Sequence, residues 1–257
     1  MPHREDQSLR SALAEKGWWA DTALKSVVEW LRLDFEYAAK TERISTRHYS
    51  GLPEKNTFIT DPRGYAKIVD YLAKGFTDKI KTGKVATEIK YGSDGVKVKT
   101  KDGHTYKANH TLCTFSTGVL AADLVKFVPG LPAWKKQAVS RIPLAYYTHV
   151  LVQFPSAFWE DKEFLVNAEK VRGEYPLLYN LNKENFHNGS NVLLFTAVED
   201  DALRVERQPE NATIDEVLKV LKGMYPKTNI PYPTGMLRRY LLINYYMTRA
   251  VSGRFAP

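Results

Sequence analysis

The sequence predicts an α+β fold, and three kinds of pattern support this prediction. Residues 18–40 and 61–75 carry apolar side chains at three- and four-residue spacing, which is the helical repeat. Residues 84–112 alternate between apolar and charged side chains, as half-buried strands do. Residues 146–154 and 191–198 are rich in branched and aromatic side chains and are strongly strand-like.

Both predicted helices are marked by their ends as well as by their spacing. In the first, Asp21 can accept hydrogen bonds from the free N–H groups of the opening turn. In the second, Asp61 is the expected cap, Pro62 occupies a first-turn position that needs no N–H donor, and Gly75 ends the helix. The expected buried stripes are Leu24, Val27, Val28, Leu31, Phe35 and Ala38 in the first helix and Tyr65, Ile68, Val69 and Leu72 in the second.

Residues 84–112 predict a three-stranded antiparallel meander. Asp-Gly pairs at positions 94–95 and 102–103 are typical of the tight turns that join such strands. The lysines alternate with valines, so one face is expected to be buried and the other solvated. A further buried strand is expected at residues 111–115, where Cys113 would be an inert thiol.

The second half of the sequence alternates strands with helices. Pro132 is expected to open a short helix that ends near Ser140. The strands at 146–154 and 191–198 follow it. Residues 213–216 (TIDE) form a capping-box pattern, which predicts that the last helix begins there.

Composition excludes several classes of protein. The chain has 257 residues, enough for one large domain or two small ones, and its 12% aromatic content excludes general disorder. A single cysteine and six scattered histidines exclude a disulfide framework and a thiolate-rich metal site, so no metal is expected. No apolar run approaches the ~20 residues of a membrane span, and the first residues lack the apolar core of a secretory signal. The compartment is left open.

The net charge of +8 permits binding to a polyanion, but its distribution favours another explanation. The lysines are spread along the chain without a polybasic block, which is typical of a solvated surface. We therefore expect no nucleic-acid partner. A basic module that binds nucleic acid through Lys97, Lys99 and Lys101 is kept as an alternative.

The common catalytic motifs GxGxxG, GxxxxGK[ST], HExxH and GxSxG do not occur in the sequence. Several collinear segments nevertheless resemble the flavin-dependent amine oxidases, and the polyamine oxidase branch in particular. The resemblance covers about residues 30–240. The segments that carry it are 58–65 (FITDPRGY), 84–89 (KVATEI), 95–100 (GVKVKT), 118–120 (GVL), 127–135 (FVPGLPAWK) and 154–159 (FPSAFW).

The resemblance implies an architecture for the chain. It implies a mixed sheet flanked by helices, which is the substrate-binding domain of these enzymes, and a three-stranded meander that belongs to their FAD domain. The implied division is residues 1–58 for the helical part of the substrate-binding domain, 59–132 for a partial FAD-binding segment, and 133–257 for the sheet and helices of the substrate-binding domain.

The resemblance also implies that both flavin-binding ends are missing. Members of the family begin with a strand–GxGxxG–helix unit that holds the FAD pyrophosphate, and they end with a second flavin-contacting segment. Neither pattern is found here. Tyr240 stands where the family tends to have tryptophan near the flavin, so it is a candidate cofactor contact. From Leu241 onward the family pattern is lost, which a truncated gene model and a degenerate paralogue would explain equally well.

Four other candidate site residues follow from the resemblance. Val85 matches a contact to the adenine end of FAD, and Glu36 matches a carboxylate near the substrate tunnel. His149 occupies the position of the active-site lysine, which is thought to hold a water near the flavin, and Tyr147 matches a tunnel-wall aromatic on the same strand face. The alternatives are ordinary ones: strand packing for Val85, a helix-surface acid for Glu36, a local hydrogen bond for His149, and a core or surface tyrosine for Tyr147.

The resemblance thus implies FAD-dependent oxidation of polyamines or related amines, with O2 reoxidising the flavin. A non-catalytic binding or regulatory fragment without flavin is the alternative. The amine and the bond cleaved are left open.

Overall fold

The computed structural model describes residues 6–47, 61, 63–142, 144–169, 172–184 and 186–240. The chain folds into two units. Among the described residues, one unit combines those up to Gly64 with residues 145–240, and the other comprises Tyr65–Leu144. Each unit has its own sheet and helices, so the predicted α+β class is confirmed.

The first unit is built on a five-stranded antiparallel sheet with strand order β6-β7-β8-β5-β9. The strands are β5 Tyr147–Gln153, β6 Phe164–Val166, β7 Leu177–Asn180, β8 Val192–Val198 and β9 Gly235–Tyr240. Of these, β5 and β8 were predicted from the sequence, and they pair over seven residues in the centre of the sheet.

Two helices cover one face of this sheet: α7 Glu199–Arg207 and α8 Glu210–Met224. Side chains alternate along a strand, so every second residue of β5 and β8 points at the helices. Val150 and Phe195 are completely buried there, against Val205 and Leu221 of the helices. This layer is the main hydrophobic core. The other face of the sheet carries the alternate residues.

The last helix begins earlier than the sequence predicted. It starts at Glu210, after Pro209, so the capping-box interpretation of residues 213–216 is wrong. Thr213 is buried within the helix, and its hydroxyl accepts a hydrogen bond from Gln208 Nε2 at 2.9 Å.

The N-terminal helices also belong to the first unit. They are α1 Leu9–Glu15, α2 Ala23–Glu29, a π-helical turn at Trp30–Asp34, and the short α3 Phe35–Tyr37. The predicted single helix over 18–40 is therefore broken into pieces, and it ends where Ala38 adopts a left-handed conformation.

The cap and the stripe of this first predicted helix differ from expectation. Thr22 caps α2 by accepting a hydrogen bond from the Lys25 N–H at 3.3 Å, whereas Asp21 forms an ion pair with the Lys25 side chain. Leu24 is 67% exposed and Val28 is 42% exposed, although both were expected to be buried. Both residues lie in α2, before the π-helical turn, and the buried side of α2 is formed by Ser26, Val27 and Glu29.

The second unit contains the predicted meander. Strands β1 Ala86–Gly92, β2 Gly95–Thr100 and β3 Thr105–Ala108 pair antiparallel, and β4 Lys126–Val128 adds a parallel strand beside β1. The order is β3-β2-β1-β4, so this sheet is mixed. The helices of this unit are α4 Ala66–Ala73, a 3-10 turn Thr77–Lys79, α5 Thr117–Ala121 and α6 Ala133–Arg141.

Pro132 caps α6, as predicted, but four other expectations for residues 61–115 are wrong. The α4 helix begins at Ala66, and Asp61 accepts a hydrogen bond from the Arg63 N–H instead of capping it; the expected buried stripe of α4 is exposed. Residues 111–115 form no strand, Leu112 is 88% exposed, and Cys113 is exposed rather than buried. The apolar residues of α4 and of 111–115 favour burial, but the sequence does not show whether another element covers them.

No helix in the described ranges combines the length and the apolar character needed to cross a membrane.

Candidate functional site

The candidate site lies on the face of the first sheet that points away from α7 and α8. Tyr147 and His149 alternate on β5 with the buried Thr148 and Val150, so both project to this side. Tyr179 of β7 projects to the same side. It pairs with Leu194 of β8, and Leu194 pairs with the β5 residue two positions after His149, which lies on the same face as His149. We call this surface, formed by Phe35, Tyr147, His149, Phe164 and Tyr179, the aromatic face.

One end of the aromatic face is closed by the N-terminal helices. The Phe35 ring lies 5.6 Å from the Tyr147 ring and 6.5 Å from the Tyr179 ring, measured between centroids. Behind it, Phe35 packs on the fully buried Trp30 at 5.5 Å. Phe164 continues the row, with its ring 4.8 Å from Tyr179. The helices and the sheet therefore build one continuous aromatic surface.

Glu36 places a carboxylate beside this surface. Burial, followed by the negative charge of Glu36, raises the pKa of Tyr179 to about 12. Burial also raises the pKa of Tyr147, with further contributions from Tyr179 and Glu36. Glu36 directly follows Phe35, whose ring contacts both Tyr147 and Tyr179. The structure thus brings Glu36 and Tyr147 together, although they are 111 positions apart in the sequence.

His149 completes the group. Its ring lies 5.0 Å from the Tyr147 ring in an edge-on arrangement, and its Nδ1 is 3.2 Å from the Oγ1 of Thr196. Burial lowers the pKa of His149 below its usual value of about 6.5, so the imidazole is neutral at pH 7. A neutral imidazole can donate through one nitrogen and accept through the other, which suits it to hold a water molecule.

Together these residues can bind an organic cation. Aromatic faces attract ammonium groups through their quadrupole, and a carboxylate at the edge supplies the opposite charge. The rest of the chain is net positive, so the attraction has to be local.

The two expected cofactor contacts lie on other elements. Val85 lies in the second unit, half-buried just before β1, and its carbonyl accepts a hydrogen bond from the Lys101 N–H at 2.8 Å. Tyr240 is the last residue of β9, where its backbone pairs with Thr148. The side chain of Tyr240 lies outside the described part of the chain.

Sequence reasoning missed Tyr179, Phe164 and Thr196. They lie on β7, β6 and β8 respectively, and only the pairing between strands brings them next to His149 and Phe35. The residues leading to Tyr179, 177–180 (LLYN), are strand-like, but nothing in the sequence indicates which strand lies beside them.

Comparison with known proteins places the chain in a family. The family model for flavin containing amine oxidoreductases matches residues 8–252, nearly the whole chain. The chain belongs to this family. The resemblance found in the sequence is therefore confirmed.

Individual relatives agree with this assignment. Polyamine oxidase 7 of Oryza sativa subsp. japonica is 35% identical over 230 residues, which are 82% of this chain and 48% of that protein. Polyamine oxidase 1 of Zea mays is 33% identical over 236 residues, covering 84% of this chain and 47% of that protein. The chain thus spans about half the length of these relatives.

Among solved structures, cyclohexylamine oxidase from Brevibacterium oxydans matches with a TM-score of 0.68 at 16% identity, over 95% of this chain and 55% of that one. A redesigned putrescine oxidase matches with a TM-score of 0.69 at 10% identity, over 90% of this chain and 53% of that one. At these identities the matches establish the fold alone. They support the α+β architecture described above.

Proposed function

We propose that this chain forms the amine-binding part of an FAD-dependent amine oxidase that acts on polyamines or related amines. The observation that carries the proposal is the convergence of Glu36, Tyr147, His149 and Tyr179 on one face of the first sheet. Membership of a flavin-containing amine oxidoreductase family and similarity to polyamine oxidases support it.

The residues of the candidate site have distinct roles in this proposal. Glu36 binds a protonated nitrogen of the substrate, and the rings of Phe35, Tyr147 and Tyr179 flank the methylene chain and exclude water from it. The reacting nitrogen is held neutral and positioned by the same walls. His149, neutral and close to Tyr147, holds a water at the reacting end.

A bound FAD would supply the redox chemistry, with hydride acceptance from the carbon beside the reacting nitrogen and reoxidation by O2. Of the candidate contacts, Val85 fits a packing role at the adenine end. Its side chain is only half-buried, so apolar surface is left for a ring to cover, while its carbonyl is already bonded to Lys101. Tyr240 remains a proposed flavin contact.

Amine binding can be measured on the chain itself. Titration calorimetry with spermidine is expected to show binding, and Glu36→Gln is expected to weaken it about tenfold, because an ammonium group loses its opposite charge. Glu184→Gln is the matched control, since Glu184 is an exposed acid in the turn region between β7 and β8. An equal loss of spermidine affinity in both variants would show that only the net charge matters. Glu36 would then not be part of the binding site.

A second candidate function is favoured by the histidine at position 149. The resemblance places a lysine there, and a neutral imidazole has neither the charge nor the reach of an ammonium group. The same face could then bind amines without oxidising them. Spermidine binding by this chain, combined with an inactive chimera of the kind described in the Discussion, would support this alternative.

A further inference from the structure

The chain makes an uncommon turn immediately before Glu36. Residues Trp30–Asp34 form a π-helical turn, closed by a hydrogen bond from the Phe35 N–H to the Trp30 carbonyl, five residues back. Turns of this kind are rare, occur mostly singly, and are frequent at functional sites. Since one residue of an α-helix corresponds to about 100° of rotation, an extra residue in the turn re-aims everything that follows it by roughly that angle. The direction of Phe35 and Glu36 thus depends on this turn.

Arg172 connects the two ends of the π-helical turn. It reaches in from the segment before β7 and forms a two-point contact with Asp34, in which Nε donates to Oδ2 at 2.6 Å and Nη2 donates to Oδ1. Its remaining Nη1 donates to Oε1 of Glu29. Asp34 is the last residue of the turn and Glu29 directly precedes it. One guanidinium therefore fixes both ends of the turn.

The two carboxylates are deeply buried, each only 3% exposed. Glu29 also accepts hydrogen bonds from Arg10 Nη1 at 3.0 Å and from Trp18 Nε1 at 2.7 Å. Although burial opposes it, the hydrogen bonds from Arg172 and Trp18 lower the pKa of Glu29. Two arginines thus balance two carboxylates in a buried cluster. Such a cluster tolerates few alternative geometries, because a displaced charge would be left buried and unpaired.

We propose that Arg172 is a positioning residue for amine binding: by bonding Glu29 and Asp34 it fixes the π-helical turn that directs Phe35 and Glu36 to the aromatic face. This rests on the proposed function, because Glu36 is the group that binds the amine there. Arg172 itself lies behind the turn and contacts the carboxylates rather than the aromatic rings. Its effect on the ligand passes through Glu36.

The bridging contact of Arg172 with Glu29 and Asp34 makes Arg172→Lys the informative substitution. A lysine at position 172 keeps the charge, but an ammonium group is a single point and cannot bridge Glu29 and Asp34 in the planar geometry of a guanidinium. Arg172→Lys therefore loosens the turn without leaving both carboxylates unpaired. Arg204→Lys is the matched control, because Arg204 is another half-exposed arginine of the first unit, bonded to Glu216 and Gln208 on the helix side of the sheet.

The test is a double-mutant cycle with spermidine binding as the readout. Arg172→Lys is expected to weaken binding about three- to tenfold in the unchanged chain, but to have little further effect once Glu36→Gln is present, since neighbours acting through one contact are not additive. Arg204→Lys is expected to leave the affinity unchanged. Equal weakening by Arg172→Lys with and without Glu36 would overturn the proposal, because Arg172 would then act by another route.

A second readout separates this inference from the proposed function. The charge of Glu36 acts on Tyr179, so the NMR signal of Tyr179 in tyrosine-labelled protein, assigned with Tyr179→Phe, reports where Glu36 lies. Both Glu36→Gln and Arg172→Lys are expected to shift that signal in the absence of any amine. A signal that moves with Glu36→Gln but not with Arg172→Lys would refute the positioning role. Shifts in both variants without spermidine binding would refute the amine function alone.

Discussion

At the scale of single residues, position 149 shows how neighbours set the chemistry of a side chain. The imidazole lies edge-on to Tyr147, and its Nδ1 contacts the hydroxyl of the fully buried Thr196. When Thr196 donates to Nδ1, the single proton of the neutral ring is carried by Nε2. That nitrogen then donates to a water or an amine, whereas a lysine would bring a positive charge to the same place.

His149 can be tested in a protein that turns over. Residues 8–240, which include Glu29 and its partners, are placed between the flavin-binding ends of an active polyamine oxidase, and flavin reduction and reoxidation are followed in stopped flow. If His149 holds the water that a lysine holds in the family, His149→Lys is expected to restore or raise these rates. His149→Ala is expected to lower them by about ten- to a hundredfold, because alanine cannot position a water.

The matched control for this experiment is Gln153→Ala, an exposed position at the far end of the same strand. Identical rates with histidine, lysine and alanine would show that position 149 performs no chemistry in this scaffold. A chimera that binds FAD but oxidises no polyamine with any of the three residues would favour the non-catalytic alternative.

At the scale of elements, the hairpin between β1 and β2 depends on one glycine. Gly95 has a φ of +97°, and a Cβ at this position would lie 2.6 Å from the carbonyl oxygen of Ala108. Gly92 pairs with Gly95 across the same turn, has no such φ, and has open space where its Cβ would be. Two glycines three positions apart therefore carry very different constraints.

The difference between the two glycines is measurable. Gly95→Ala is expected to destabilise the second unit by roughly 1–3 kcal/mol, because it adds both backbone strain and a clash with main chain. Gly92→Ala is expected to change stability by less than about 1 kcal/mol. Calorimetric unfolding of the two variants gives the comparison. Equal transition temperatures would show that the hairpin relaxes to accept a side chain.

Elements of this kind were predictable because their determinants are local. The Asp-Gly turns and the valine–lysine alternation lie within 84–112, and the structure shows the expected meander. The π-helical turn was not predictable. The residue that holds it, Arg172, is 138 positions away from Asp34, and its role exists only once the chain has folded. Tyr179 escaped prediction for the same reason.

At the scale of the whole molecule, the two units differ in how well they cover their apolar side chains. The first buries a large core between its sheet and α7 and α8. The second exposes large apolar side chains on α4 and along the stretch after β3, with Leu72 at 65% and Leu112 at 88% exposure. Apolar surface of this extent marks an interaction site or a tendency to associate.

The purified chain is accordingly expected to self-associate or to bind a hydrophobic dye. Light scattering at increasing concentration and fluorescence of anilinonaphthalene sulfonate measure the two effects. Ile68→Lys with Leu72→Lys is expected to reduce both, because charge on α4 opposes apolar contact. Charge added on a surface that is already polar, as in Thr105→Lys on β3, is the control. A monodisperse monomer that binds no dye would contradict the expectation.

The family assignment, by contrast, came from the sequence at this largest scale. No single segment was decisive, but the order and spacing of several short ones carried the resemblance, and the family match over residues 8–252 confirmed it. The order of these segments along the chain is retained during evolution, because the fold determines which segment must follow which. The contacts of individual side chains, such as Thr196 with His149, carry no comparable trace in the sequence.

The alternation of β5 has a consequence for how this protein can change over evolutionary time. Thr148, Val150 and Val152 are packed in the core, while Tyr147 and His149 belong to the aromatic face. Adjacent residues of this strand are therefore under different selective constraints. One set must preserve core packing, and the other must preserve whatever the aromatic face binds. Substitutions at the odd-numbered positions can change ligand binding during evolution, while the even-numbered positions maintain the packing of the sheet. Substitutions at position 149 can therefore change the chemistry of the aromatic face without disturbing the core that holds the strand.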